Sequence, residues 1–404
     1  MLVHWIWLSQ RTAVSDRMKG ELLRHFSDPE DLYYADGQAF QGIGGLSEEA
    51  LQSLLDRDLS RAGAILDQCI RGNIHILTIE DEAYPQRLKN IADPPVLFYY
   101  KGTLPDFDAQ PAIGIVGTRK SSAYGIQAAS RMGREVAACG GLVISGMAEG
   151  IDAAAMNGAL MAKGSVVGIL GCGPDIVYPR CNRGLFGDTE RYGCILSEFA
   201  PGTPPYKGNF PKRNRIISGI SCGVLVVEAP EKSGALITAR EANEQGRDVF
   251  VVPGNVDSPG FVGSNRLLRA GAIAVSCGWD VMCEYEHLYP GKVKKAEPVE
   301  NIRENAGASV AQRPVLPENP VKREKINIDN GSDAPYIDLN NILTGLTPDE
   351  RTVVSAIQKQ EQLVDEVIEA VDMSAGKVLA ILTILELKGK VIRHPGKRVS
   401  LAGK

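Results

Sequence analysis

The stretch from residue 110 to 290 constrains the fold most. Seven short apolar runs recur in it: Ala112–Val116, Leu142–Ser145, Val166–Leu170, Cys194–Glu198, Val224–Glu228, Val249–Val252 and Ala272–Ser276. Helical patterns such as Tyr124–Cys139, Asp152–Lys163 and Leu236–Gln245 lie between them. A run of four or five residues is too short for a helix. One that is apolar throughout, rather than alternating, fits a strand covered on both faces. Strands of this kind alternating with helices make βαβ units. The expected fold class is therefore α/β, with a doubly wound, Rossmann-like parallel sheet as its core, over 110–290. The 43 glycines exceed the usual ~7% and suit many tight strand-to-helix turns.

The flanks read differently. Residues 1–70 are expected to form a helical domain, with amphipathic stretches near Ser15–His25 and Ser47–Leu59. Between these lies Phe40-Gln-Gly-Ile-Gly-Gly-Leu-Ser-Glu-Glu, where a glycine turn precedes Ser47 as a helix cap. It resembles a helix-hairpin-helix, whose turn can offer amides to a phosphate; a plain connection without a ligand is the other reading. Residues 71–109 carry two β-rich runs, Ile74-His-Ile-Leu-Thr-Ile and Val96-Leu-Phe-Tyr-Tyr, and are expected to form a connecting β element. Residues 291–345 are polar, hold Pro298, Pro314, Pro317, Pro320 and Pro335, and are expected to be a disordered linker. In 346–404, Thr347 caps a helix with Pro348 at its first position. Helical patterns at Pro348–Lys359, Leu363–Ala370 and Ser374–Lys388 are followed by a hairpin around His394–Lys397. Three helices and a two-stranded wing predict a winged helix.

Charge and cysteine usage narrow the function classes. Lys+Arg 44 against Asp+Glu 49 leaves a net charge of −5. That excludes a chain coating nucleic acid with its whole surface and permits one basic groove. No apolar run approaches the ~20 residues of a membrane helix. Met1–Leu8 is apolar but short, contains His4 and lacks a basic start, so it makes a poor signal peptide. A cytoplasmic protein with no membrane partner is expected. The cysteines, Cys69, Cys139, Cys172, Cys181, Cys194, Cys222, Cys277 and Cys283, show no C-x-x-C spacing and no histidine at zinc-ligand distance. They read as reduced core or turn residues, with no metal and no cofactor.

Four loops carry polar signals. Ile115-Val-Gly-Thr-Arg-Lys-Ser-Ser-Ala-Tyr-Gly follows the first strand and opens a helix. Gly117 permits the turn, and Thr118, Arg119, Ser121 and Ser122 gather donors at a helix N-terminus, an anion site on physical grounds. It is neither G-x-G-x-x-G nor a Walker A loop. Ile144-Ser-Gly-Met-Ala-Glu-Gly-Ile-Asp-Ala, with Gly146, repeats the design; Asp152 reads there first as a helix N-cap, with a polar ligand contact as the other reading. Gly171-Cys-Gly-Pro-Asp-Ile-Val-Tyr-Pro ends the third strand. In the last, Glu228-Ala-Pro-Glu-Lys-Ser-Gly-Ala-Leu-Ile-Thr, Ser233 and Thr238 could cap a helix or hold phosphate. Ligands of open α/β sheets lie at this carboxyl edge of the strands.

The strongest signal is Tyr206-Lys-Gly-Asn-Phe-Pro-Lys-Arg-Asn-Arg-Ile-Ile-Ser. No Asp or Glu occurs from Phe199 to Val227, while Lys207, Lys212, Arg213 and Arg215 cluster with Tyr206, Phe210 and Asn214. Read as a basic-aromatic loop, it suits single-stranded nucleic acid: cations track phosphates and aromatic faces stack unpaired bases. Glu228, Glu231 and Glu241 are the obvious acid/base candidates, and His287 is the only histidine from 110 to 290. A catalytic triad or metal hydrolase has little material, and no enzymatic activity is expected.

Taken together, these segments resemble the DNA-processing protein A family (DprA, also called Smf). The resemblance rests on Gly117-Thr-Arg-Lys-Ser-Ser-Ala-Tyr-Gly, Ser145-Gly-Met-Ala-Glu-Gly-Ile-Asp, Gly171-Cys-Gly-Pro-Asp-Ile-Val-Tyr-Pro, Phe210-Pro-Lys-Arg-Asn-Arg-Ile-Ile-Ser-Gly, Ser233-Gly-Ala-Leu-Ile-Thr-Ala and Val252-Pro-Gly, in the family order over roughly 80–280. The lead-in Asp81…Tyr84-Pro…Pro94-Pro…Gly102 matches as well. Thr118 stands where the family usually has Ser, and Met156 where a His is common. The resemblance implies binding of single-stranded DNA, loading of the RecA recombinase, homodimerisation through the core and a role in natural transformation. It implies a pocket built from Arg119 and the Phe210–Arg215 segment, and variable N-terminal (sterile-alpha-motif-like or helix-hairpin-helix) and C-terminal domains. Two alternatives belong to other classes. A Rossmann-like nucleotide phosphoribohydrolase would carry Pro-Gly-Gly-x-Gly-Thr, which Ser233-Gly-Ala-Leu-Ile-Thr-Ala-Arg-Glu lacks. A transcription regulator would work through the winged helix.

Overall fold

The computed structural model describes residues 1–26, 28–296, 346–357, 362–371, 373, 375–388, 390–394 and 398–401. The chain divides into two compact units, residues 1–306 and 307–404.

The first unit begins with five helices, α1 (Leu2–Ser9), α2 (Asp16–Phe26), α3 (Pro29–Tyr34), α4 (Glu48–Leu55) and α5 (Ser60–Arg71). Asp28 caps α3 with Pro29 at its first position, and Ser47 caps α4 by accepting from the Ala50 amide at 3.1 Å. Trp7, Ile6, Leu8, Leu22, Leu32 and Leu54 make this bundle's core.

A single nine-stranded sheet follows. Its strands are β1 (His75–Thr78), β2 (Leu97–Gly102), β3 (Ala112–Val116), β4 (Leu142–Ser145), β5 (Val166–Leu170), β6 (Cys194–Ser197), β7 (Gly223–Val226), β8 (Asp248–Val251) and β9 (Ile273–Ala274), in the order β1-β2-β6-β5-β4-β3-β7-β8-β9. Each of the seven apolar runs is a strand, and β3 to β9 pair in parallel. The reason is visible in β3. Ile113 and Ile115 enter one apolar cluster, Ala112 and Val116 the cluster on the opposite face. Successive strand side chains point to opposite faces, so a sheet with a core on each side needs apolar residues at every position.

Helices cover both faces. Among them are α6 (Gln86–Lys89), α7 (Ala123–Ala138), α8 (Ile151–Met161), α9 (Arg183–Tyr192), α10 (Asn209–Ile220), α11 (Gly234–Glu244), α12 (Val262–Arg269) and α13 (Gly278–Met282). Helices α7, α8, α9 and α13 contribute to one core, and α6, α10 and α11 to the other. Helices α7 and α8 touch through glycine: a Cβ at Gly133 would meet the Ala155 carbonyl, and one at Gly158 the Ser130 carbonyl.

Three expectations need correction. β1 and β2 do not form a separate connecting element, because β2 pairs antiparallel with β6 (Tyr100 opposite Leu196) and extends the main sheet. The basic segment expected as a loop is helix α10 from Asn209 onward. Its inward positions Phe210, Arg213, Ile217 and Ile220 keep helical spacing, and the arginine among them hides the period. Residues 291–296, placed in the linker, belong to the first unit: Val293 is buried against the core and the Lys294 amide donates to the Cys139 carbonyl at 3.1 Å. The rest of the expected linker, 297–345, lies outside the described residues.

In the second unit α14 (Pro348–Ala356), β10 (Gln362–Leu363), α15 (Val364–Glu369), α16 (Ala375–Leu387), β11 (Val391–His394) and β12 (Arg398–Leu401) form a winged helix around Val353, Val354, Val367, Val378, Leu382 and Leu385. The wing has three strands, ordered β10-β12-β11, where two were expected. Thr347 and Glu350 make a reciprocal capping box. Residues 395–397 of the hairpin lie outside the described residues. Among the described residues no helix is long and apolar enough to cross a membrane.

Arg215 ties the N-terminal helices to the sheet. It is 5% exposed. Its Nη2 donates to Asp16 at 3.0 Å and Glu198 at 2.7 Å, and its Nε lies 3.1 Å from Asp93. Burial pushes the Glu198 carboxyl up despite Arg215. Burial also acts upward on Asp16, but the charges of Lys19 and Arg215 outweigh it and hold that carboxyl below its ordinary value.

Two predictions follow from this architecture. Arg215→Met removes a buried cation shared by the partly buried Asp16 and Glu198 and should cost about 2–3 kcal/mol, read from urea unfolding, whereas exposed Lys212→Ala should stay within about 0.5 kcal/mol. Gly158→Val should lower stability by at least about 1–3 kcal/mol through overpacking at the α7–α8 crossing, measured the same way.

Candidate nucleic-acid interface

Strand order reverses at β3. The chain runs from β3 outward to β4, β5 and β6, then returns to place β7 on the other side of β3. Ligand crevices of doubly wound sheets open at such a switch point, beyond the carboxyl ends of the strands. A cleft of about 560 Å³ opens there. It is lined by the turn after β3 (Gly117, Thr118, Arg119, Lys120), the start of α10 (Phe210, Pro211, Arg213, Asn214), the turn into α11 (Lys232, Ser233, Gly234, with Thr238) and Pro259-Gly260.

Gly117 serves a close approach: a Cβ there would stand 2.5 Å from the Ile151 side chain. The turn then releases Arg119 and Lys120 to the surface. The Arg119 guanidinium carbon lies 5.0 Å from the centroid of the Phe210 ring, a cation–π contact. Phe210 in turn lies 5.6 Å from the Tyr178 ring. Lys232 is exposed on the opposite wall. Ser233 caps α11 by accepting from the Ala235 amide at 3.3 Å, and Thr238 lies buried on the second turn of that helix.

Arg213 lies under the cleft at 4% exposure. Its Nη1 donates to the Gly146 carbonyl at 2.8 Å and also to the Ile169 carbonyl. Burial pulls its pKa down to about 10, with Asp152 opposing the fall, so it stays charged at neutral pH. Asp152 is not the N-cap of α8: Gly150, with φ +79°, occupies that place. The Asp152 carboxylate accepts instead from the Gly146 amide at 3.1 Å and the Ala148 amide at 3.4 Å. Burial raises its pKa and Arg213 opposes the rise.

The structure thus gathers Gly117, Thr118, Arg119, Phe210, Arg213, Asn214, Ser233 and Thr238 at one cleft. Gly146 lines an adjoining hollow of about 160 Å³ with Arg119, Phe210 and Tyr178. The other expected contacts lie elsewhere. Arg215 is buried among carboxylates. Lys212 faces a separate hollow beside Asp16 and Lys19. Lys207 is exposed ahead of α10, outside the cleft. Helical geometry causes this split, since residues 212 and 215 point away from the face that carries 210, 213 and 214. Ser121 does not line the cleft. Ser122 caps α7, and its amide and hydroxyl are already taken by Glu228. Glu231 pairs with Arg266 at 2.7 Å, and neither it nor Glu241 lines the cleft. Sequence reading passed over Lys120, Lys232 and Tyr178. The first two are lysines inside the very turns it had singled out, and each adjoins a residue it chose.

Comparisons with known proteins agree on one family. Residues 75–286 match the family model for DNA recombination-mediator protein A, and residues 341–397 match the DprA winged helix domain. The chain is 31% identical to Protein Smf of Synechocystis over 98% of its own length and 97% of that protein. It is 38% identical to the DNA processing protein DprA of Bacillus subtilis over 62% of this chain and 83% of that one. The X-ray structure of DNA processing protein A from Streptococcus pneumoniae superposes with a TM-score of 0.61 at 31% identity, covering 70% of this chain and 98% of that one. This chain belongs to the DNA processing protein A family, the DprA or Smf proteins, and its role is that of a DNA recombination mediator.

Proposed function

We propose that the cleft at the switch point binds single-stranded DNA and that the protein delivers this DNA to the RecA recombinase. The observation that carries the reading is Arg119 held 5.0 Å over the Phe210 ring at the mouth of a cleft flanked by exposed Lys120 and Lys232. Cations at the rim neutralise backbone phosphates, and an exposed aromatic edge accepts a base that has no partner strand. A duplex keeps its bases stacked and offers the ring nothing. The recombination-mediator role of the family supports RecA as the recipient. Homodimerisation through the core and service in natural transformation belong to the same reading. So does the absence of turnover: the carboxylate that lines the cleft, Asp152, is engaged by backbone amides and stands beside Arg213.

Fluorescence anisotropy with single- and double-stranded oligonucleotides tests the site. Arg119→Ala and Lys232→Ala should each weaken single-strand binding and reduce the salt slope of log K by about 0.7 per lost phosphate contact. Phe210→Ala should lose about 1–3 kcal/mol of binding with the slope unchanged. Equal affinities for all three variants and the unsubstituted chain would sink the assignment. A chain ending after residue 296 should still bind single strands and still promote RecA filament formation. Loss of single-strand binding by that shortened but folded chain would make the winged helix the principal site.

A further inference from the structure

In an open α/β sheet the helix that follows the first strand of the switch point offers its N-terminus to a nucleotide phosphate. Here that helix is α7, and its N-terminus is already occupied by an anion from the chain itself. The Ser122 amide donates to the two Glu228 carboxylate oxygens at 3.2 and 3.0 Å, and the Ser122 hydroxyl donates to Oε2 at 2.8 Å. That hydroxyl also accepts from the Gly125 amide at 3.0 Å. The Glu228 main chain completes the seat, its carbonyl accepting from the Thr118 amide at 2.8 Å. Glu228 is 2% exposed. The cradle is shaped around it: a Cβ at Gly125 would run into the carboxylate, and one at Gly260 would stand 2.5 Å from Oε1.

We infer that Glu228 is a built-in anion that closes the nucleotide-phosphate seat of this cleft, so that free nucleotides are excluded. A terminal phosphate approaching the start of α7 meets the buried Glu228 carboxylate, which already holds the Ser122 amide and hydroxyl. The exposed cations Arg119, Lys120 and Lys232 remain at the cleft for backbone phosphates. Glu228 is thereby a specificity-determining residue that touches no polymer. The device does not require single-stranded DNA binding, and anisotropy on the same variants keeps the two apart.

Calorimetric titration of the full chain with ADP tests the inference. The unsubstituted protein should show no saturable binding at millimolar ADP. Glu228→Ala, which vacates the seat, should gain affinity for ADP by about tenfold or more. Glu228→Gln keeps the side chain in place and should gain much less. Saturable ADP binding by the unsubstituted chain at the affinity of Glu228→Ala overturns the inference, as does a folded Glu228→Ala chain that gains none. If Glu228→Ala does not fold, the amide resonance of Ser122 in the unsubstituted chain decides. A saturable shift on adding ADP overturns the inference, and an unmoved resonance upholds it.

Discussion

Arg213 is the interaction on which the cleft depends. A guanidinium sealed beneath the carboxyl edge of the sheet bonds the chain just after β4 at Gly146 and the end of β5 at Ile169. It opens the second turn of α10, so the same contacts fix how that helix sits on the sheet. Phe210 lies three residues earlier on the same face. Its ring therefore stands in register with Arg119, which leaves β3 on the far side of the crevice. Removing the charge would free the α10 turn and leave two strand-end carbonyls without a donor. The lowered pKa reflects the cost of burying the cation, and Asp152 nearby offsets part of it.

The two apolar faces of the sheet explain why so little of the chain is available for chemistry. The parallel strands spend nearly all their side chains on two cores, leaving polar function to the connections. Those connections converge because parallel strands present all their carboxyl ends at one edge. Cations and an aromatic ring from three separate loops meet there without any long-range sequence signature. Comparable logic governs the N-terminal helices, whose apolar packing on Leu97 and Tyr99 of β2 is supplemented by one arginine shared among acidic groups from three other segments.

How much could be read in advance follows from whether the signal was local. The strands β3 to β9 were legible because burial on both faces writes itself as an uninterrupted apolar run. The winged helix was legible from Thr347-Pro348, three helical patterns and a hairpin around His394–Lys397. Helix α10 was misread because Arg213 and Arg215 sit at inward positions, where charge normally signals solvent. The two β-rich runs of 71–109 were legible as a β element, but the pairing of β2 with β6 joins residues nearly a hundred positions apart and leaves no local trace. The donors at the start of α7 read in sequence as a phosphate site, whereas in the fold the Ser122 amide and hydroxyl turn to Glu228. What sequence could not supply was the identity of the anion, since Glu228 is 106 residues away. Arg119, Phe210 and Ser233, which the fold brings to one cleft, each lie in a short motif; Lys212 and Arg215 fall elsewhere because charge clusters in sequence do not separate by helix face.

The Arg215 junction also has a consequence for the order in which the protein is made. Asp16 and Arg215 are 199 positions apart, so the N-terminal helices leave the ribosome long before the cation that fastens them exists. At synthesis rates of about 5–20 residues per second, that interval is on the order of 10–40 s. During it, the Asp16 carboxylate stays in water, while the helical bundle can already pack against Leu97 and Tyr99 of β2. The ionic part of the attachment is therefore a late event in the life of the nascent chain, set by the arrival of a residue beyond the midpoint of the sequence.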